Sequence, residues 1–276
     1  MELPKRRLGR TGIDVTILGL GGEGILRTFG HEHEAYQLIN RAIDLGMNYF
    51  ESARAYAGSE SYYGLSLKER RKELFLTSKS HARDRKGAMT HLIETLKNMK
   101  TDYLDLWQVH DVRTEEEVDE IFGKNGAIEA FEEAREKGMV RFIGVTGHHY
   151  PPIILNCLQK FDFDTVLIPV NPAEPAYNSF IEKVIPAATQ RDMGIIAMKV
   201  YFHGLAAHLS SLRLESFYRY ALSCPVTTAV IGCDNIKQIE ENIRFASSFI
   251  QMTKVDMANL TAMVSPNARR LMYYKL

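Results

Sequence analysis

Cysteine is scarce in this chain, and Cys157, Cys224 and Cys233 form neither an even set nor a metal-ligand spacing. A disulfide framework and a cysteine-built zinc site are thereby excluded, and a reducing cytoplasm is the expected compartment. Net charge is lacking too, with 34 basic side chains against 34 acidic ones. No bulk field draws the protein to nucleic acid or to an anionic membrane, so neither is an expected partner. The opening MELPKRRLGRTG has charges but no apolar signal region, and no later segment approaches a membrane span. Low-complexity tracts and linkers rich in Pro, Gly or Ser are absent, so residues 1–276 read as a single domain.

What is present has globular composition, 45% hydrophobic and 25% charged. Strand-like and helix-like segments alternate with a period of roughly 30 residues. AYQLINRAIDLG puts Ala35, Leu38, Ile39, Ala42 and Ile43 on one helical face, and Gly46 stops it. MNYFESA reads as a strand, SESYYGLSLKERR as a helix, ELFLTSK as a strand and GAMTHLIETLKNM as a helix. YLDLWQVH, VRFIGVTG, DTVLIPV, GIIAMKV and TTAVIGC continue the strands, with helical segments between them. Counted from VTILGLG, eight strands each precede a helix. Short, continuously apolar strands fit a parallel sheet covered on both faces. The predicted fold is therefore α/β, a (β/α)8 TIM barrel. An N-terminal β-hairpin, RRLGRTGIDVT turning at Gly12, is placed to plug the barrel bottom, and DMANLTAMVSPNARRLMYYKL supplies extra C-terminal helix.

ILGLGGEGIL contains G-x-G-x-x-G at Gly19, Gly21 and Gly24. A Rossmann site needs a helix opening on the third glycine to hold a pyrophosphate. Thr28, Phe29 and Gly30 do not continue a helical pattern, and Asp44 lies inside a helical repeat rather than ending a second strand. The Rossmann reading fails on its own context.

A barrel directs attention to the C-terminal ends of its strands. Glu51, Lys79 and His110 fall there, on strands two, three and four, and Tyr56 follows in the loop after Glu51. A tyrosine is a poor proton donor at neutral pH unless its phenolate is stabilised, as a nearby ammonium does by lowering its pKa. A buried lysine requires a countercharge, which Glu51 supplies. A histidine at the mouth orients a substrate oxygen. Together the four suit protonation of a carbonyl oxygen while hydride arrives at carbon.

RRLGRTGIDVTILGLGG, NYFESARAY, LTSK, DYLDLWQVH, GMVRFIGVTG and IGCDNIKQIEEN, in this order, resemble the aldo-keto reductase family over nearly the whole chain. The resemblance implies an NAD(P)H-dependent oxidoreductase that reduces small aldehydes or ketones, with the dinucleotide bound in extended form on a barrel. It makes Tyr56 the general acid, Lys79 the partner that lowers its pKa and His110 the carbonyl-orienting group. Glu51 stands where the family has aspartate, one methylene longer. Gly21 and Gly22 fall beside the nicotinamide, with Glu23 near the substrate mouth. Thr146, Gly147 and Asn171 take the carboxamide-holding positions, and the ring-stacking position falls to Met198, or to Val200 in a shifted alignment. Gly232, Cys233 and Gln238 replace the 2′-phosphate contacts, and Glu241 and Asn242 match the adenine pair. The amides of Gly232, Cys233, Asp234 and Asn235, with Lys237 nearby, are left to hold a phosphate, Asp234 being read as the helix N-cap. The implied cofactor is NADP, with NADPH preferred over NADH but less strongly than an arginine would enforce.

Two rivals remain for test. One is a nicotinamide-binding regulatory subunit with little turnover, suggested by the Glu51 departure. The other is a metal-dependent hydrolase using His110, His148 and His149, disfavoured because no carboxylate stands at ligand spacing in the sequence, so no metal is expected. The expected assembly is a monomer or weak oligomer. Glu23, Val112, Arg113, Tyr201, Phe202 and His203 are the expected specificity positions.

Overall fold

The computed structural model describes residues 2–209 and 212–275. Strands β1 (Lys5–Arg7) and β2 (Asp14–Thr16) pair antiparallel around Gly12, whose φ of 71° is the left-handed conformation that glycine adopts without strain. Eight further strands follow: β3 (Leu18–Gly24), β4 (Tyr49–Glu51), β5 (Phe75–Ser80), β6 (Leu104–Val109), β7 (Val140–Thr146), β8 (Thr165–Pro169), β9 (Gly194–Met198) and β10 (Thr228–Cys233). They pair in parallel in chain order, and β10 returns to β3, closing the barrel. This is the expected (β/α)8 architecture.

Tyr49, Phe75, Leu106, Leu167, Ile196 and Val230 point inward and form one packed cluster with Leu8 and Val15 of the hairpin. Leu8 is fully buried, and Thr11 and Ile13 close the turn beneath it. The hairpin therefore does plug the N-terminal end, where it contacts the turn before β9 through Arg10 and Asp192. A filled lower barrel confines any ligand to the opposite, C-terminal rim.

Outside the strands lie α1 (Glu32–Asp44), α2 (Ser59–Ser66), α3 (Arg85–Met99), α4 (Glu115–Phe122), α5 (Ala127–Glu136), α6 (Pro151–Lys160), α7 (Phe180–Gln190), α8 (Leu214–Ser223) and α9 (Ile236–Ser247). The α1 face read from the sequence is the buried one: Ala35, Leu38, Ile39, Ala42 and Ile43 all pack inward. Helix α4 is an addition to the sequence expectation, opened by Thr114, whose hydroxyl accepts the Glu117 amide. The helix expected over SESYYGLSLKERR stops at Ser66 and tightens into a 3-10 turn, Lys68–Glu73. Arg71 explains the break: its guanidinium is drawn inward to Thr101, the carbonyls of Leu74 and Tyr103, and Asp105 at 2.9 Å. The extra C-terminal helix is present as α10 (Lys254–Val264), with a Thr253–Asp256 capping box, and the short α11 (Ala268–Leu271). Among the described residues no helix is long and apolar enough to cross a membrane.

Candidate active site

Neighbouring strands β4, β5 and β6 bring Glu51, Lys79 and His110 to one part of the C-terminal rim. Lys79 is only 1% exposed, against the usual solvation of lysine, and its Nζ lies 2.8 Å from Glu51 Oε1. It also donates to the Ser52 carbonyl at 2.8 Å. Tyr56 occupies the β4–α2 loop with its ring centroid 4.9 Å from Lys79 Nζ, and the His110 ring meets it edge-on at 5.8 Å. The four residues inferred from sequence are thus brought together. A fifth, Arg27, was missed; its guanidinium also lies 4.9 Å from the Tyr56 ring. No spacing rule marks it, because it sits in the irregular turn after β3.

The electrostatics correct one expectation. Burial pushes the Tyr56 phenol well above its ordinary pKa, and Glu23 and Glu51 add to the rise while Arg27 opposes it. Lys79 Nζ stands 4.9 Å from the ring, held there by Glu51 and Ser52, and does not outweigh burial. Burial also lowers Lys79 itself, offset by Glu51. His110 is pulled well below its ordinary value, first by burial and then by the Lys79 charge, so it is a neutral imidazole at pH 7. Its Nδ1 has no hydrogen-bond partner among the described residues, nor has Glu51 Oε2. The arrangement holds a protonated phenol and a neutral imidazole side by side over a buried ion pair.

The glycine motif has a packing role in this geometry. A Cβ on Gly22 would stand 2.7 Å from the Glu51 carbonyl and the Ser59 hydroxyl. One on Gly24, at φ +69°, would meet the Cys233 carbonyl at 2.5 Å. Gly21 and Gly232 are similarly pressed together across β3 and β10. These residues let β3 approach β4 and β10 closely beside Glu51, the last residue of β4.

Beside this cluster a groove of about 280 Å³ is lined by Glu23, Lys199, Tyr201, Gly232, Gln238 and Glu241, among others. Gly232, Asp234, Gln238, Glu241 and Asn242 all border it, as the sequence placed them. Val200 lines the groove, whereas Met198 packs on the barrel-interior cluster. Cys233 is buried, its thiol pushed up to about 12 by burial and accepting from Asn242 Nδ2. The N-cap of α9 is Asn235, which accepts the Gln238 amide, and not Asp234. Asp234 instead exchanges contacts with the Gln238 side chain, because Gln238 reaches back one turn. Lys237 is exposed beyond the groove lining; the cation inside is Lys199, which the sequence reading passed over although it follows β9 directly. Glu23 lies between Lys199 at 3.9 Å and His203 at 3.7 Å; burial opposes its charge, but these neighbours hold its carboxyl below the usual range.

Thr146 ends β7, fully enclosed, its carbonyl accepting the Val112 amide; Gly147 packs against Ile154. Asn171 is fully buried after β8. Its Nδ2 donates to the Lys199 carbonyl and the Tyr274 hydroxyl, and its Oδ1 accepts the Ala173 amide, so the amide is committed within the chain. Tyr274 in turn donates to Glu174, whose carboxylate also takes Lys275 Nζ at 2.6 Å. The chain's C-terminal tail is thus latched onto the β8 loop. Tyr274→Phe removes a hydroxyl bonded on both sides and is expected to destabilise the fold by about 1–3 kcal/mol. Urea denaturation checks this, and an unchanged midpoint would show the latch to be idle.

A carboxylate does stand with His148 and His149: Asp111, supplied by the loop after β6. It directly follows His110, and the pairing of β6 with β7 carries it to the two histidines.

Comparison with known proteins agrees with this architecture. Residues 17–215 match the model of the aldo/keto reductase family. A Bacillus subtilis (strain 168) protein described as the uncharacterized oxidoreductase YqkF is 24% identical, over 88% of this chain and 91% of its own. In fold, the holo form of aldo-keto reductase AKR11C1 from Bacillus halodurans superposes with a TM-score of 0.80 at 22% identity, covering 95% of this chain and 96% of that one. An aldo-keto reductase from Klebsiella pneumoniae, solved in complex with NADPH, gives 0.78 at 18% identity, covering 96% of each chain.

Proposed function

Because the chain belongs to the aldo/keto reductase family, we propose that it reduces small aldehydes or ketones to alcohols with NADPH, Tyr56 donating the proton. The observation that carries this reading is the buried Lys79–Glu51 pair at 2.8 Å beneath a protonated Tyr56, with neutral His110 at its edge. A bound nicotinamide supplies hydride to the carbonyl carbon. The Tyr56 hydroxyl gives its proton to the carbonyl oxygen, and the neutral His110 ring orients that oxygen by donating a hydrogen bond. The ion pair keeps a buried ammonium next to the phenol, so that negative charge developing on Tyr56 oxygen in the transition state meets a positive neighbour.

The groove suits a dinucleotide on its own geometry. Lys199 offers a cation, Gly232 leaves the wall open, and Asp234 and Gln238 bring the N-terminus of α9 to its edge. Glu241 and Asn242 stand on that wall, while Thr146 and Gly147 end β7 outside the groove lining. No arginine lines the groove among the described residues, so the grip on a 2′-phosphate rests on amides and lysine. One charge-assisted hydrogen bond of about 1.5 kcal/mol corresponds to a preference of about tenfold. Steady-state kinetics with an aromatic aldehyde should give a kcat/KM about tenfold higher for NADPH than for NADH. A higher value for NADH would overturn the cofactor assignment, and no cofactor-dependent turnover across a panel of aldehydes and ketones would overturn the reductase reading.

A further inference from the structure

We propose that Asp111, His148 and His149 form a binding site for one divalent transition cation of the zinc class, on the rim next to His110. The loops after β6 and β7 bring the three together, with Asp111 Oδ1 at 3.1 Å from His148 Nδ1 and 3.5 Å from His149 Nε2. All three ligand atoms lie within 4.8 Å of one another. A tetrahedral ion with bonds of about 2.0–2.1 Å needs its ligand atoms roughly 3.3 Å apart, so two of the separations already match.

Asp111 is 8% exposed, yet its Oδ1 has no hydrogen-bond partner, and neither has His149 Nε2. Both imidazole nitrogens face Asp111 Oδ1 at ion-pair distance, and with the imidazoles deprotonated the three atoms present lone pairs to one point, which a cation can occupy. Arg113 holds the other carboxylate oxygen, with Nε at 2.8 Å and Nη2 at 2.6 Å from Oδ2, which turns Oδ1 toward the imidazoles. Asp111 also adopts φ 55°, a left-handed backbone uncommon for a residue with a side chain. Two imidazole nitrogens with one carboxylate favour zinc or cobalt over magnesium or calcium, which take oxygen. The histidine side chains are 18% and 17% exposed, so solvent reaches the site and completes the coordination. The proposal stands apart from the reductase chemistry, which uses none of these three side chains.

Chelator-stripped protein titrated with Co²⁺ tests it, by visible absorption and by the rise in unfolding temperature that binding to the native state produces. One equivalent is expected to bind, without a thiolate charge-transfer band, because the three cysteines are buried elsewhere. His148→Ala and His149→Ala should each abolish that binding, and Arg113→Ala should weaken it about tenfold. The other close histidine pair, His81 and His91 at 4.6 Å, has no carboxylate between its rings, so His81→Ala should leave binding unchanged. Asp111→Asn carries the test if the histidine variants do not fold, since it keeps the side-chain shape while removing the charge. Absence of Co²⁺ binding by the parent protein, or binding unaltered in His148→Ala, His149→Ala and Asp111→Asn, would overturn the proposal.

Discussion

Tyr56→Phe is expected to lower kcat for aldehyde reduction about 100- to 10,000-fold while leaving NADPH affinity nearly unchanged. The substitution removes one oxygen from a ring held between Lys79, Arg27 and His110, and keeps the ring itself. No groove-lining contact depends on that hydroxyl, so a fluorescence titration of the cofactor should give the parental dissociation constant. Stopped-flow or steady-state oxidation of NADPH reads the chemical loss. Retention of more than about a tenth of parental kcat would assign the proton donor elsewhere. The raised phenol also shapes the parent's pH profile. Tyr56 stays protonated across the neutral range, so reduction should hold level from about pH 6 to about pH 9 rather than fall through a shifted tyrosine pKa.

Lys79→Met has the second large effect, and it has two parts that can be separated. The substitution leaves the Glu51 carboxylate 4% exposed with neither oxygen paired, because Oε2 already lacks a partner. Stranding one member of a buried ion pair costs about 3–5 kcal/mol, which chemical denaturation will show directly. Adding Glu51→Gln removes the stranded charge and is expected to recover most of that loss. Activity should not recover with it, because the positive neighbour of Tyr56 is still missing. Recovery of both, or of neither, would contradict the division of roles: the first would make Lys79 purely structural, the second would make shape at position 51 the deciding factor. Glu51→Gln alone strands the ammonium instead and should also destabilise, whereas Glu51→Asp keeps the charge and should lose much less of both properties.

The barrel was legible because its signals are local and repeated. Continuous apolar strands, the amphipathic stripe of α1 and a stop at Gly46 each follow from a few neighbouring residues. The four residues around Tyr56 were legible for a related reason: ends of consecutive strands in a parallel barrel are neighbours, so Glu51, Lys79 and His110 had to meet. What escaped depends on side-chain reach or on non-adjacent segments. Arg27 crosses from an irregular turn to the Tyr56 ring, and Asn171 is claimed by Tyr274, 103 positions away. The net rise at Tyr56 comes first from burial and then from the carboxylates of Glu23 and Glu51, a sum that the position of one lysine in the sequence does not give. Cap identity at α9 turned on which of two adjacent side chains bends toward the Gln238 amide, a choice that composition does not encode.

Barrel closure through β3 and β10 has a consequence for how the chain is made. Ala229 sits beside Leu18, so the first barrel strand finds its second partner only after most of the chain has been synthesised. During translation β3 can pair with β4 alone, leaving one row of backbone amides and carbonyls open to other strands. That row is LGLGGEG, whose glycines carry no charged or bulky side chain to repel a foreign strand. In any chain ending before residue 228 that edge of β3 has no partner, and β10 is the strand that covers it.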